Sequence, residues 1–166
     1  YLKAVGFLQG KAPLLYQFLS DRPKDSVIAS LTEEGDFIPS LAHRSVLVSE
    51  EYSIPYHQGY YRQIRERTED LINAQYSQDL EEVREFIRRY RVNLWLLDRR
   101  AFETTYLAKN NWIKQFDKEA KKAIDTLKSD REPILKQMQS QCQIFQEKNL
   151  VLLDTSCLLN KSGSSD

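Results

Sequence analysis

The sequence lacks the glycine-rich loops that cradle phosphates. It holds five glycines. No G-x-G-x-x-G follows its first predicted strand, and no G-x-x-x-x-G-K-[ST] occurs anywhere. A phosphate-cradling turn is therefore not expected, nor are the usual dinucleotide enzymes, and no cofactor is indicated. A G-x-S-x-G nucleophile elbow is missing too. Histidine is scarce: His43 stands before Arg44 at a strand entrance, and His57 lies in an aromatic loop. Either could serve as a general base. Neither has a Ser or Cys in a recognisable nucleophile context, so exposed or structurally satisfied imidazoles are expected and no catalytic residue is assigned.

Charge of one sign is not in surplus. Lys plus Arg and Asp plus Glu are 24 each, whereas a nucleic-acid binder usually shows a basic excess. No nucleic-acid partner is expected. No apolar run approaches the roughly 18 residues of a membrane span, and no signal peptide is seen. The sequence opens on Tyr1 rather than Met, which points to an excised or processed piece of a longer protein. The two cysteines, Cys142 and Cys157, form no C-x-x-C pair and lack zinc-site spacing. The expectation is two buried or half-buried thiols. A disulfide between them is the alternative, and it would need an oxidising compartment.

What is present suits one α/β domain over 1–159, with a disordered polar tail at 160–166. At 166 residues, the chain is long enough to bury a core without metal or disulfides. Leu14, Leu15, Phe18 and Leu19 mark one face of a short helix that stops before Pro23. Ser26–Leu31 reads as a buried strand, Phe37–His43 as a helical turn and Ser45–Ser49 as a second strand. Tyr60–Tyr76 reads as a long helix. Ser77 looks like the N-cap of the next, whose stripe is Leu80, Val83, Phe86, Ile87 and Tyr90. Val92–Leu97 is a third strand. Helices are expected over Phe102–Trp112, Ile113–Ser129 and from Pro133 to about Phe145, before a last strand over Asn149–Leu153. Strands separated by helices predict a Rossmann-like three-layer sandwich with a small, mainly parallel sheet of about four strands.

In such sheets ligands bind beyond the carboxyl ends of the strands. Those ends carry Glu34, Asp36, Glu50, Asp98 and Asp154. If their carboxylates converged they could hold a divalent cation, giving a free-standing metal-dependent enzyme. No spacing matches a known metal loop, so no metal site is assigned. The most unusual stretch is Tyr52–Arg67, with four Tyr, one His and three Arg in 16 residues. Tyrosines there could stack on a sugar while arginines pair with an anionic group. The ordinary alternative is tyrosines bridging core and surface. A further reading, a protein-interaction module, would use the helices between Phe116 and Phe145. There Lys118, Lys121, Lys122, Lys128 and Lys136 alternate with acids, a pattern that more often marks a solvated face.

One pattern runs over roughly residues 12–100. Tyr16-x-x-Leu19 precedes Pro23-Lys-Asp-Ser-Val-Ile-Ala-Ser30. Ile38-Pro39, Arg44-Ser-Val-Leu-Val-Ser49 and Pro55-Tyr56-His57 follow. Arg65, Tyr76-Ser77 and Phe86-Ile-x-x-Tyr90-x-Val92 complete it. It resembles the soluble C-terminal domain after the last membrane helix in polytopic bacterial glycosyltransferase-like proteins, similar to the protein mannosyltransferase and oligosaccharyltransferase superfamily. That superfamily keeps its catalytic acid in a membrane-proximal loop of the N-terminal half, which no position here matches. The resemblance implies a non-catalytic accessory domain on the extracytoplasmic (periplasmic) side of a bacterial membrane. Its partner would be the membrane-embedded remainder of the same polypeptide. If it helps to hold an acceptor or lipid-linked sugar, the expected ligand-binding residues are Arg44, Tyr56, His57, Tyr60, Tyr61 and Arg65.

Overall fold

The computed structural model describes residues 10–50 and 58–160. The expected tail beyond Asn160 lies outside them, and Asn160 itself closes a helix. The elements are α1 (Pro13–Ser20), β1 (Val27–Ser30), α2 (Ile38–Leu41), β2 (Ser45–Val46), α3 (Gln58–Gln75), α4 (Leu80–Tyr90), β3 (Leu94–Asp98), α5 (Thr104–Lys109), α6 (Asp117–Lys128), α7 (Ile134–Cys142), β4 (Gln143–Glu147), β5 (Leu150–Asp154) and α8 (Thr155–Asn160). Single 3-10 turns cover Glu33–Phe37, Arg99–Phe102 and Ile113–Gln115.

The strands form one five-stranded sheet in the order β2-β1-β3-β5-β4. β1 runs parallel to β2 and to β3, whereas β5 runs antiparallel to both β3 and β4. The expected sheet of about four mainly parallel strands is therefore corrected: parallel pairing is confined to the β2-β1-β3 half. The missed strand is β4. Met138, Cys142 and Phe145 keep helical spacing, which made the helix seem to run on. The chain instead leaves the helix after Cys142, and β4 folds back on β5 through Lys148-Asn149, with Lys148 at φ 54°. No glycine marks this turn.

Alternation along the strands feeds two cores. Ala29, Trp95, Leu97, Val151 and Leu153 face a larger core built with α3, α4, α6, α7 and α8. Ile28, Leu94, Leu96 and Leu152 face a smaller one roofed by α1 and α2. Period-two side-chain direction makes this division automatic once both faces are covered. Trp95 is fully buried, and its indole N–H donates to Gln75 Oε1 at 3.2 Å. The aromatic burial therefore leaves no orphan donor.

Local signals explain the helix ends. Pro13 opens α1, where its missing N–H costs nothing. Asp79, not the expected Ser77, caps α4, accepting from Glu81 N at 2.8 Å. Ser77 donates instead to Glu82 Oε2 at 2.6 Å and accepts from Asp79 N at 3.0 Å. Both ends of α1 are held by charged side chains. Glu147, at the end of β4, accepts from Leu15 N at 2.9 Å. Arg44 takes the carbonyls at the other end, described below. The signs match the helix dipole, negative at the N-terminus and positive at the C-terminus.

Cys142 and Cys157 are disulfide-bonded, with Cα atoms 5.5 Å apart. The expectation of two free thiols is corrected. The helix-to-strand switch at residue 143 and the β4–β5 hairpin return the chain to α7 just where α8 starts, and this brings the two sulfurs together. The bond closes a loop of 15 residues. Replacing both cysteines by serine is expected to cost about 3 kcal/mol of stability for a loop of this length, read as a lowered urea midpoint with an unchanged far-UV spectrum.

Candidate functional site

The carboxyl ends of the parallel strands β1, β2 and β3 form the polar rim where a sheet of this type would take a ligand. At the end of β1, Ser30 and Thr32 share a hydrogen bond at 2.7 Å, and Thr32 N donates to Ser30 Oγ at 3.0 Å. Gly35 packs against Ser30: a Cβ there would come within 3.2 Å of Ser30 Cβ. Asp36 accepts from Ser49 Oγ at 2.6 Å and from Glu50 N at 3.1 Å, tying the turn after β1 to the segment after β2. At the end of β3, Asp98 accepts from Arg100 N at 2.9 Å, Nε at 3.0 Å and Nη2 at 2.7 Å. Arg100 stands over the Tyr106 ring at 5.7 Å. Burial, then the Asp98 charge, pushes the Tyr106 hydroxyl up to about 12. Burial and the charges of Asp36 and Glu33 hold Glu50 above its ordinary value.

The five carboxylates proposed as a metal rim do not converge. β5 is antiparallel to β3, with Leu94 opposite Asp154 and Asp98 opposite Leu150. Asp154 therefore sits at the edge of the sheet away from Asp98, where its Oδ1 accepts from Ser156 N at 2.9 Å and Ser156 Oγ at 2.7 Å. Glu34 is drawn toward α1, accepting from Lys11 N at 3.1 Å and from the Tyr16 hydroxyl. Among the described residues no group of three His, Cys, Asp or Glu side chains could hold a metal ion. The acidic-enzyme reading required all five carboxylates on one shared rim; the reversed last strand takes Asp154 off it, and Glu34 turns toward α1.

The expected ligand residues separate into three sets. Tyr56 and His57 lie outside the described residues. Tyr60, Tyr61 and Arg65 stand exposed on the first turns of α3. Arg65 pairs with Glu69 at 2.9 Å and lies 5.2 Å from the Phe116 ring centre. Arg44 is elsewhere and buried. Its Nη1 donates to the carbonyls of Ala42 (3.2 Å) and His43 (2.8 Å), its Nη2 to Ser20 (2.6 Å) and its Nε to Arg22 (3.0 Å). These bonds close the C-terminal end of α1 against the strand entrance. His43 is exposed and sits at φ 52° beside it.

Sequence reasoning missed a groove of about 710 Å³ between the end of α3, the start of α4, α6 and α7. Gln78 spans one end, donating to Ser129 Oγ at 2.8 Å and to Arg131 O at 2.6 Å. Only the packing of non-consecutive helices creates it, so no local pattern announced it. Among the described residues, the large exposed apolar side chains are Leu14, Leu41, Tyr60, Tyr61 and Ile144. None is on α6 or α7, so the apolar patch that would favour an interaction module there is not found.

No protein-family model and no curated protein matches this sequence. Among solved structures, the chain is similar to the C-terminal globular domain of an oligosaccharyltransferase from Archaeoglobus fulgidus. The TM-score is 0.54 at 11% identity, over 85% of this chain and 94% of that one. The likeness is one of fold: a mixed α/β domain with a five-stranded sheet and helices. The neighbour is archaeal, so the expected bacterial source gains no support from it. Among the described residues no helix is long and apolar enough to cross a membrane.

Two outcomes follow. Arg44→Ala, which leaves buried carbonyls without their charged donor, is expected to cost about 2–3 kcal/mol. Arg44→Lys should recover only part of this, since an ammonium cannot reproduce the guanidinium fork. Urea denaturation of both variants checks it. Glu50 has a raised pKa in the folded state, so it favours folding when protonated and loses that contribution as pH rises above the ordinary 4.5. Glu50→Gln is expected to raise the melting temperature at pH 7, with the gain fading as pH falls toward that value and absent below it.

Proposed function

We propose that this chain is an accessory, non-catalytic domain of a larger membrane-embedded glycosyltransferase of oligosaccharyltransferase type, lying on the extracytoplasmic side. The observation that carries the reading is the fold likeness to an oligosaccharyltransferase C-terminal globular domain, which spans nearly all of that domain. The loose sequence pattern over residues 12–100 points to the same superfamily. The Cys142–Cys157 disulfide supports the location, because such bonds persist in oxidising compartments and are uncommon in the cytosol of mesophiles.

In this reading catalysis belongs to the membrane-embedded remainder of the polypeptide, and this domain supports the acceptor or the lipid-linked sugar. Tyr60 and Tyr61 offer exposed rings for stacking on a sugar, with Tyr56 and His57 just before them in the chain. Arg65, one turn further along α3, offers a charge to an anionic group. Arg44 contributes only indirectly, by fixing α1 to the strand entrance. The source of the protein, bacterial or otherwise, does not bear on the reading.

Topology tests it. In cells making the full-length protein, protease added outside intact spheroplasts is expected to remove this domain. A maleimide reagent should label Cys142 and Cys157 only after reduction. Protection from external protease, with both thiols labelled without reductant, would place the domain in the cytosol and end the proposal.

A further inference from the structure

Opposite the rim, at the amino-terminal edge of β1 and β3, lies a second pocket of about 620 Å³. Its walls are largely apolar, with Pro23, Ile87, Val92, Leu94 and Leu159 among them. Its charged lining is Arg22, Arg88 and Arg91 against Asp25 and Asp154. Asp154 already accepts from Ser156 through one oxygen.

Two of these arginines are placed at a cost. Arg22 lays its guanidinium on the Phe18 ring, 4.3 Å from the centroid. Its Nε is buried and has no hydrogen-bond partner among the described residues. An unpaired buried donor is destabilising, so the fold holds Arg22 in this place at a cost. Arg91 ends α4 in the left-handed conformation, φ 52°. Val92 N donates to Ile87 O at 3.1 Å, the bond of a motif whose left-handed position normally carries Gly. A long cation therefore stands where a glycine would fold better, and it pairs with no acid among the described residues. Complementing the dipole of α4 accounts for positive charge on Arg88 and Arg91. It does not account for Arg22, which comes from the turn between α1 and β1. Arg88 shares its charge with Glu81 at 2.9 Å across open surface.

We propose that this pocket binds an alkyl phosphate, its oxygens held by Arg22 and Arg91 with Arg88 at the rim and its hydrocarbon laid along the apolar wall. Guanidiniums match phosphate oxygens in forked pairs. Three of them offer more donors than a carboxylate has oxygens to accept, whereas a phosphate monoester presents three terminal oxygens. The apolar wall distinguishes an amphiphile from a free anion, because an inorganic ion would leave that surface wet. This inference stands on the pocket alone and does not depend on the function proposed above.

The test is calorimetric titration of the full chain with dodecyl phosphate below its micelle concentration, beside inorganic phosphate, dodecyl maltoside and vesicles of phosphatidylglycerol or phosphatidylcholine. Dodecyl phosphate is expected to bind at least tenfold more tightly than inorganic phosphate, and dodecyl maltoside not at all. Arg91→Gly suits the left-handed position, so it should keep or raise the urea midpoint while weakening dodecyl phosphate at least tenfold. Arg22→Gln should weaken it too, and Lys128→Ala, outside the pocket, should not. Retention on phosphatidylglycerol but not phosphatidylcholine vesicles, lost in Arg91→Gly, would identify a lipid headgroup as the source. The proposal is overturned by no binding of dodecyl phosphate, by equal binding of inorganic phosphate or dodecyl maltoside, or by wild-type affinity in both arginine variants.

Discussion

Everything in this domain hangs on β3. Its five residues are all buried, it pairs with β1 on one side and β5 on the other, and it is the seam between the parallel and antiparallel halves of the sheet. Its alternating side chains enter both cores, so a shift of one residue would exchange the two sets and put Trp95 beneath α1. The neighbouring strands hold that register with side-chain bonds as well as the ladder. Asn93 Oδ1 accepts from Val27 N at 2.8 Å, and Thr155 Oγ1 donates to the carbonyls of Val92 at 2.7 Å and Asn93 at 2.8 Å. The start of the strand is thus fastened to β1 and to the start of α8.

The first helix depends on that sheet rather than on its own length. At eight residues α1 is too short to persist alone. It survives by burying Leu15, Tyr16 and Leu19, each burial contributing on the order of 1.5–3 kcal/mol, and by the charges at its two ends. Glu147 comes from β4 and Arg44 from the entrance to β2, the two outer strands. The helix therefore spans the small core diagonally and clamps both edges to it.

Elements with strong periodicity were legible in the sequence. The stripe of α4 and the apolar run of β3 were placed within a residue or two, because each is a long pattern decided locally. The faults lie where non-local pairing decides. Gln143–Glu147 became a strand because Val151 and Leu152 offer it a partner, not because its own residues exclude a helix. The direction of β5 was invisible for the same reason: an apolar run reads alike in either sense. That one reversal took Asp154 away from the expected acidic rim. The disulfide was equally hidden, since a separation of 15 residues says nothing until the turn between the cysteines is known. At the candidate site the exposed tyrosines and Arg65 were legible as unusual composition, whereas the buried role of Arg44 depends on carbonyls more than twenty residues away.

The order of strands in the sheet also sets a timetable. β3 is complete by residue 98, yet its second neighbour is β5, which begins at Leu150. As the chain leaves the ribosome, the β2-β1-β3 half can assemble first while one long apolar edge of β3 waits unpaired. An open edge of this kind invites pairing with other chains. The helices α5, α6 and α7 are made in the interval, and the nascent domain stays vulnerable until its last strand arrives.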